Sequence, residues 1–267
     1  ITVYPLNIGQ PDIATPQPIR DAIKNFDQEV LAYSPSQGED FLVEAFSGYY
    51  RQNRIELAPE DIIVTTGGSE AIFFAFLSIC DPGDEIIVFE PFYTNYNGMA
   101  LETGVTLKAI TTYAEDGFQL PTVDIIEKAV TPKTRGILIC NPNNPTGTVY
   151  SAKALEDLAF IAKKHNLYVI ADEVYREFTY DGLHHTSILQ IEGMDQHAIL
   201  IDSISKRYSA CGARIGVVAS RNKTVMGACM KFAQARLSSP TVEQWGARAG
   251  MLMDPSYFAP ILEEYQR

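Results

Sequence analysis

The sequence predicts an α/β protein, a three-layer αβα domain on a mostly parallel sheet of seven strands. Two observations predict it. Short runs rich in Val, Ile and Leu alternate with longer segments of helical period. The runs are apolar nearly throughout rather than at every second residue, as in strands covered on both faces.

In order, "DIIVTTG" is a strand ending at Gly67, and "SEAIFFAFLSIC" a buried helix stopped by "DPGD". "EIIVFEP" is a strand, and "TNYNGMALETG" a helix ending at Gly104. "VTLKAI" is a third strand, followed by the helix "TVDIIEKAV", opened by Pro121 and Thr122. "RGILICN" is a strand, "SAKALEDLAFIAKKHN" an amphipathic helix capped by Ser151, and "LYVIADE" another strand. "AILIDSIS" and "RIGVVAS" complete the seven, and "KTVMGACMKFAQARL" is a helix. Residues 1–32, rich in Pro and turn residues, read as an arm packing elsewhere, and 33–267 as the main domain.

Composition narrows the partners. The chain has 267 residues, 46% of them hydrophobic, enough for a large core. Its 33 acidic against 21 basic residues give a net charge of −12, with no basic stripe for nucleic acid. The longest apolar runs are too short to span a bilayer. Four cysteines stand far apart, with no C-x-x-C pair and no His spacing to match, so no metal site is expected. Reduced thiols point to the cytoplasm. The sequence begins at Ile1 without Met, and no signal peptide is visible.

In parallel sheets, ligands bind beyond the carboxyl ends of the strands. Here those ends carry Gly67–Ser69, Pro91–Tyr93, Asn141–Gly147, Asp172–Tyr175 and Ser203–Lys206. Polar and aromatic groups from five strands thus converge on one edge.

Each motif has two readings. "TTGGSEA" is a tight turn with Ser69 as helix cap, or an anion site in which Gly67 and Gly68 let the backbone approach a ligand. "NPNNPTG" is a plain loop, or a rigid frame between Pro142 and Pro145 from which Asn144 donates a hydrogen bond. Asp172, ending a buried strand, is a cap or ion pair, or the partner of a cationic ring nitrogen, with Tyr175 in reach of the same ligand. Lysines mostly sit on surfaces, but Lys206 follows a buried strand among Ser203, Ser205 and Arg214. Burial and nearby positive charge would free its amine as a nucleophile. Arg214 suits a phosphate, since its fork binds two oxygens.

A lysine for an imine, an aspartate for a pyridinium, an anion cradle and an aromatic face are together the needs of pyridoxal 5'-phosphate. The chain resembles the class I/II aminotransferases of the aspartate aminotransferase superfamily, in the fold-type-I group of pyridoxal-phosphate enzymes. The match runs in order through "LNIGQPD", "AYSPSQG", "TTGGSEA", "EPFYTNY", "NPNNPTG", "ADEVYREF" and "SISKRYSACGARIG".

The resemblance implies roles. Lys206 forms the Schiff base with the cofactor and then shuttles a proton. Asp172 pairs with the pyridine nitrogen, Asn144 and Tyr175 bond the ring's O3′, and Tyr93 stacks on the ring. Gly68, Ser69, Ser203, Ser205 and Arg214 hold the phosphate. Tyr33 reaches the phosphate of a neighbouring subunit, which implies a homodimer, and Gly9 lies in the arm over the substrate. The expected reaction moves an amino group between an amino acid and a 2-oxo acid. A carbon–sulfur or aminocyclopropane-carboxylate synthase-like lyase, or the sensing domain of a transcription regulator, are the alternatives. In this family a small C-terminal domain carries the arginine for the substrate carboxylate. No residue here matches it, so that domain is expected to be missing from this sequence.

Overall fold

A computed structural model describes residues 9–267, and all seven expected strands form. In chain order the elements are α1 (Gln17–Lys24), α2 (Asp40–Gln52), β1 (Ile62–Thr66), α3 (Gly67–Ile79), β2 (Glu85–Glu90), α4 (Asn95–Thr103) and β3 (Thr106–Thr111). Then follow α5 (Val123–Ala129), β4 (Thr134–Cys140), α6 (Ala152–His165), β5 (Tyr168–Asp172), β6 (Ala198–Ser203) and α7 (Ile204–Arg207). The chain continues through β7 (Ile215–Ala219), α8 (Lys223–Arg236), α9 (Thr241–Met251) and α10 (Phe258–Tyr265).

The strands form one sheet in the order β1-β7-β6-β5-β4-β2-β3. β7 runs antiparallel to β1 and β6; the other pairs are parallel. Side chains alternate across the pleat, so each central strand feeds two cores. Val64, Ile139, Val169, Leu200 and Val217 join the core that holds α2, α6 and α9. Ile63, Leu138, Ile170, Ile199 and Val218 join the one that holds α3, α4 and α8. This explains the near-continuous apolar runs. β3 departs from them: it is the sheet's edge strand, and Thr106, Ala109 and Thr111 are exposed.

Local chemistry sets the helix ends. Ser151 Oγ accepts from Ala154 N at 3.2 Å at the start of α6, and Lys163, Lys164 and His165 lie in its last turn, where positive charge suits the helix dipole. Gly104 closes α4 at φ 73°. Helix α3 begins at Gly67, with Thr66 at its cap position, so Ser69 stands inside the first turn rather than capping it.

Helices α1, α2, α9 and α10 lie outside the expected elements, and so does α7, which takes Ile204 and Ser205 from the end of the expected strand "AILIDSIS". The buried Leu42, Val43, Phe46, Tyr49 and Tyr50 of α2 do follow a helical period. Helix α1, within the predicted arm, docks on α9 of this same chain. A Cβ at Gly246 would meet Ile23 Cδ1 at 2.9 Å, and one at Gly250 would meet Ile19 Cδ1 at 2.9 Å. Among the described residues, no helix is long and apolar enough to cross a membrane.

Candidate active site

At the carboxyl ends of β4, β5 and β6 lies a cavity of about 500 Å³. It opens on the sheet face that carries α3 and α4. The residues foreseen as one group meet there: Gly68, Ser69, Tyr93, Asn144, Asp172, Tyr175, Ser203, Ser205, Lys206 and Arg214 all border it. Tyr33 does not; it is 79% exposed, on a stretch with Val30 and Leu31 also exposed. Gly9 borders the cavity, and its carbonyl accepts a hydrogen bond from Lys206 Nζ. The rest of "LNIG" lies outside the described residues.

Asp172 is buried at the end of β5 without a cation in ion-pair contact among the described residues. Tyr96 OH donates to its Oδ2 at 2.6 Å, and Val174 N approaches its Oδ1 at 3.5 Å. Burial pushes this carboxyl up to about 6, against the pull of those donors and of Lys206. A cation placed against Oδ1 would return it to the ionised form.

Lys206 sits on the single-turn helix α7, its amine 5.9 Å from the centroid of the Tyr175 ring. Ser203 caps that turn: its Oγ accepts from Ser205 N at 3.1 Å, lies 2.8 Å from Ser205 Oγ and donates to the Ile215 carbonyl at 2.9 Å. Ser203 is therefore engaged in building the turn. Arg214 stands at φ 53°, and its Nη1 donates to the Cys211 carbonyl at 3.0 Å. Gly67 is at φ 73°, which favours glycine, and a Cβ there would also strike the Arg214 guanidinium. A Cβ at Gly216 on β7 would lie 2.5 Å from Gly67 C and 2.7 Å from Gly68 N. Glycine at 216 thus lets β7 carry the turn that opens α3. Glu70, in that helix's first turn, folds back to Thr66 N at 2.7 Å and lies 3.6 Å from Arg236, outside the cavity.

Asn143 takes up the loop's internal bonding, its Oδ1 accepting from Thr146 N at 3.2 Å and Thr146 Oγ1 at 3.1 Å. That leaves Asn144 for the cavity. Tyr93 packs edge-on to Tyr96, with centroids 5.4 Å apart and planes at 89°, and its own hydroxyl accepts from Asn95 Nδ2 at 2.7 Å.

The cavity therefore holds two cations, Lys206 and Arg214, against one carboxylate, Asp172. The helix dipole of α3 adds to the excess of positive charge. A ligand with an anionic end and a cationic ring satisfies all three groups, and pyridoxal phosphate has that form. The residues present fit it.

Tyr96, Met99, Cys140, Val174 and Cys211 were missed as site residues. Tyr96 had a weak signal, since it stands three residues after Tyr93, in the first turn of α4. The cysteines had none beyond their place at a strand end or loop.

The family described as aminotransferase class I and II matches residues 1–266. The chain is 32% identical to the aspartate/prephenate aminotransferase of Thermus thermophilus, over 92% of this chain and 63% of that protein. It is 33% identical to the aspartate aminotransferase of Thermotoga maritima, over 98% of this chain and 70% of that one. The structure of Thermus thermophilus aspartate aminotransferase with maleate superposes with a TM-score of 0.91 at 32% identity, covering 97% of this chain and 68% of that one. The chain spans about two thirds of the length of these relatives. By the extent of that match, the chain belongs to the class I and II aminotransferases.

Proposed function

We propose that this chain binds pyridoxal 5'-phosphate and serves a transaminase that moves an amino group between an amino acid and a 2-oxo acid. One observation carries the reading: Lys206, Asp172 and Arg214 converge on a single cavity at the strand ends. Bound there, the cofactor supplies an aldehyde that condenses with amines and a ring that accepts the electron pair left when an amino acid's Cα loses its proton.

The residues divide the remaining work. Arg214, Ser69, Ser205 and the Gly68 backbone hold the phosphate, with Ser203 fixing Ser205. Asp172 would hold the proton on the cofactor's ring nitrogen and would itself be kept ionised by that positive charge. Asn144 and Tyr175 donate to the ring oxygen, and Tyr93 covers the ring face. Lys206 would hold the cofactor through its amine and, once freed by the substrate amine, would carry the proton between Cα and the cofactor's aldehyde carbon.

Residues 33–267 act as the cofactor-binding domain behind an arm of residues 1–32. Tyr33 reaches the phosphate site of a second copy, so the working form is a homodimer. The exposure of Val30, Leu31 and Tyr33 on one stretch supports this. Four unpaired cysteines suit the cytoplasm.

The test is to add pyridoxal phosphate and record the visible spectrum before and after borohydride. A visible band that reduction fixes onto the Lys206 peptide is expected. Label on other lysines, or on none, overturns the reading. Screening amino donors against the loaded protein then identifies the substrate.

A further inference from the structure

Next to four of the cavity groups after β5 and β6 stands a buried charge that faces the other way. Asp172, Tyr175, Ser203 and Lys206 border the cavity. Glu173, Arg176 and Arg207, each one position after, and Asp202, one before, are buried behind it. Within the strands the pleat dictates this. Ile170 and Ile201 pack into the core on the cavity side, whereas Ala171 and Leu200 pack into the other. Asp202 follows Ile201 and so falls on the far face.

Arg207 is the largest of the fully buried side chains, at 1% exposure. Its Nη2 lies 2.9 Å from Asp202 Oδ1 and 2.7 Å from Oδ2, and its Nε donates to Glu177 Oε1 at 2.8 Å. The guanidinium sits 4.3 Å from the centroid of the Tyr49 ring. Asp202 is held in turn by Tyr50 OH at 2.9 Å and by Ser203 N at 2.7 Å. This cluster lies outside the cavity, yet it grips both ends of the turn that carries Lys206. A helix as short as α7 cannot hold its own shape. Ser203 caps its start, and Arg207 pins its end to Asp202 and, through Glu177, to the segment after β5.

We propose that Arg207 is a positioning residue for Lys206: its buried bonds to Asp202 and Glu177 set the direction in which the Lys206 amine enters the cavity. The inference rests on the reading of Lys206 as the cofactor-linking lysine. Packing alone does not call for this arrangement, since well-fitted apolar side chains hold an interior as well as a buried ion pair does. A guanidinium bound to two carboxylates defines an angle, which an apolar contact does not.

The test separates covalent capture from simple binding. With pyridoxal phosphate, Lys206 Nζ adds to the aldehyde carbon and one water leaves, forming a C=N bond that borohydride reduces to a stable amine. Pyridoxamine 5′-phosphate lacks the aldehyde and reports only on the cradle. In Arg207→Lys, the affinity for pyridoxamine phosphate should stay within about threefold of the parent, while the rate of capture on Lys206 falls about tenfold or more, as small misplacements of a reacting group do. Equal losses in both measurements would mark Arg207 as merely structural and overturn the inference, as would an unchanged capture rate. If Arg207→Lys does not fold, Glu177→Gln carries the test, because it keeps an acceptor for Arg207 Nε but removes the charge. The same split, smaller in size, is expected there, and its absence overturns the inference. A parent chain that takes up neither compound overturns the cofactor reading itself, and this inference with it. A parent that takes up both while the variants show no split overturns this inference alone.

Discussion

The Tyr96 hydroxyl donates to Oδ2 of Asp172 at 2.6 Å, where both side chains are buried. Burial works against the charge on Asp172, and this bond works for it. In Tyr96→Phe the carboxyl should therefore titrate above its present value of about 6. On the proposed role of Asp172, binding of pyridoxamine phosphate needs the ionised carboxylate. Its affinity should fall about tenfold near neutral pH, for a lost bond to a charged group, and the acid limb of its pH profile should move upward. Titration calorimetry across pH checks this; an unmoved limb would separate Tyr96 from Asp172.

Burial raises two neighbouring carboxyls, Asp172 from 3.8 to about 6 and Glu173 from 4.5 to about 7. A raised carboxyl is better accommodated neutral in the fold than in the unfolded chain. Its stabilising share is whole below its unfolded value and is lost as pH rises through the folded one. The ligand-free chain should therefore lose stability from this pair as pH rises from about 4 to about 7. Asp172→Asn removes one share, so the ligand-free variant should melt above the parent at about pH 8, by roughly 1–3 kcal/mol in stability. It should also bind pyridoxamine phosphate more weakly. Melting curves at both ends of the range decide it.

Gly216→Ala places a methyl group 2.5 Å from Gly67 C, 2.7 Å from Gly68 N and 2.8 Å from Asp202 O, all of them backbone atoms. None can swing aside as a side chain would. A loss of about 1–3 kcal/mol is expected, with weaker phosphate binding because the displaced turn opens α3. Denaturant unfolding and phosphate titration of the same variant test both effects.

Arg214→Ala should weaken pyridoxal phosphate binding about tenfold or more, the value of a bond to a charged group. Arg214→Lys should recover only part, since it keeps the charge and loses the fork. Pyridoxal, which has no phosphate, should bind all three proteins alike. Equal losses for pyridoxal would place Arg214 away from the phosphate.

Arg207→Met leaves Asp202 and Glu177 buried without their cation. Removing one partner of such a cluster costs about 3–5 kcal/mol. Adding Asp202→Asn and Glu177→Gln to it should restore much of that stability, because the stranded charges go with the cation. Urea unfolding of the single and triple variants measures the difference.

Much of this architecture was legible before any coordinates. The seven strands, the turns at Gly67 and Gly104, the Ser151 cap and the clustering of motifs at one sheet edge depend on short stretches of chain. Period, turn chemistry and caps act over a few residues, so a local reading finds them. Helix α2 carries helical apolar spacing at Leu42, Val43, Phe46, Tyr49 and Tyr50, although it lies beside the turn-rich stretch before it. Helix α1 was hidden by the prolines around it, and only its packing on α9 shows why it forms.

The sequence by itself determined the strand runs and which residues stand at their ends. The order of motifs, and through it the family, was also in the sequence. Tertiary structure alone decided that β7 runs against its neighbours, that Ser203 spends its hydroxyl on the turn, that Tyr96 meets Asp172 across 76 residues, and that Arg207 turns away from the cavity. The physical reason is the same in each case. The free energy of a buried charge or hydroxyl depends on every group packed around it, and those groups come from distant parts of the chain.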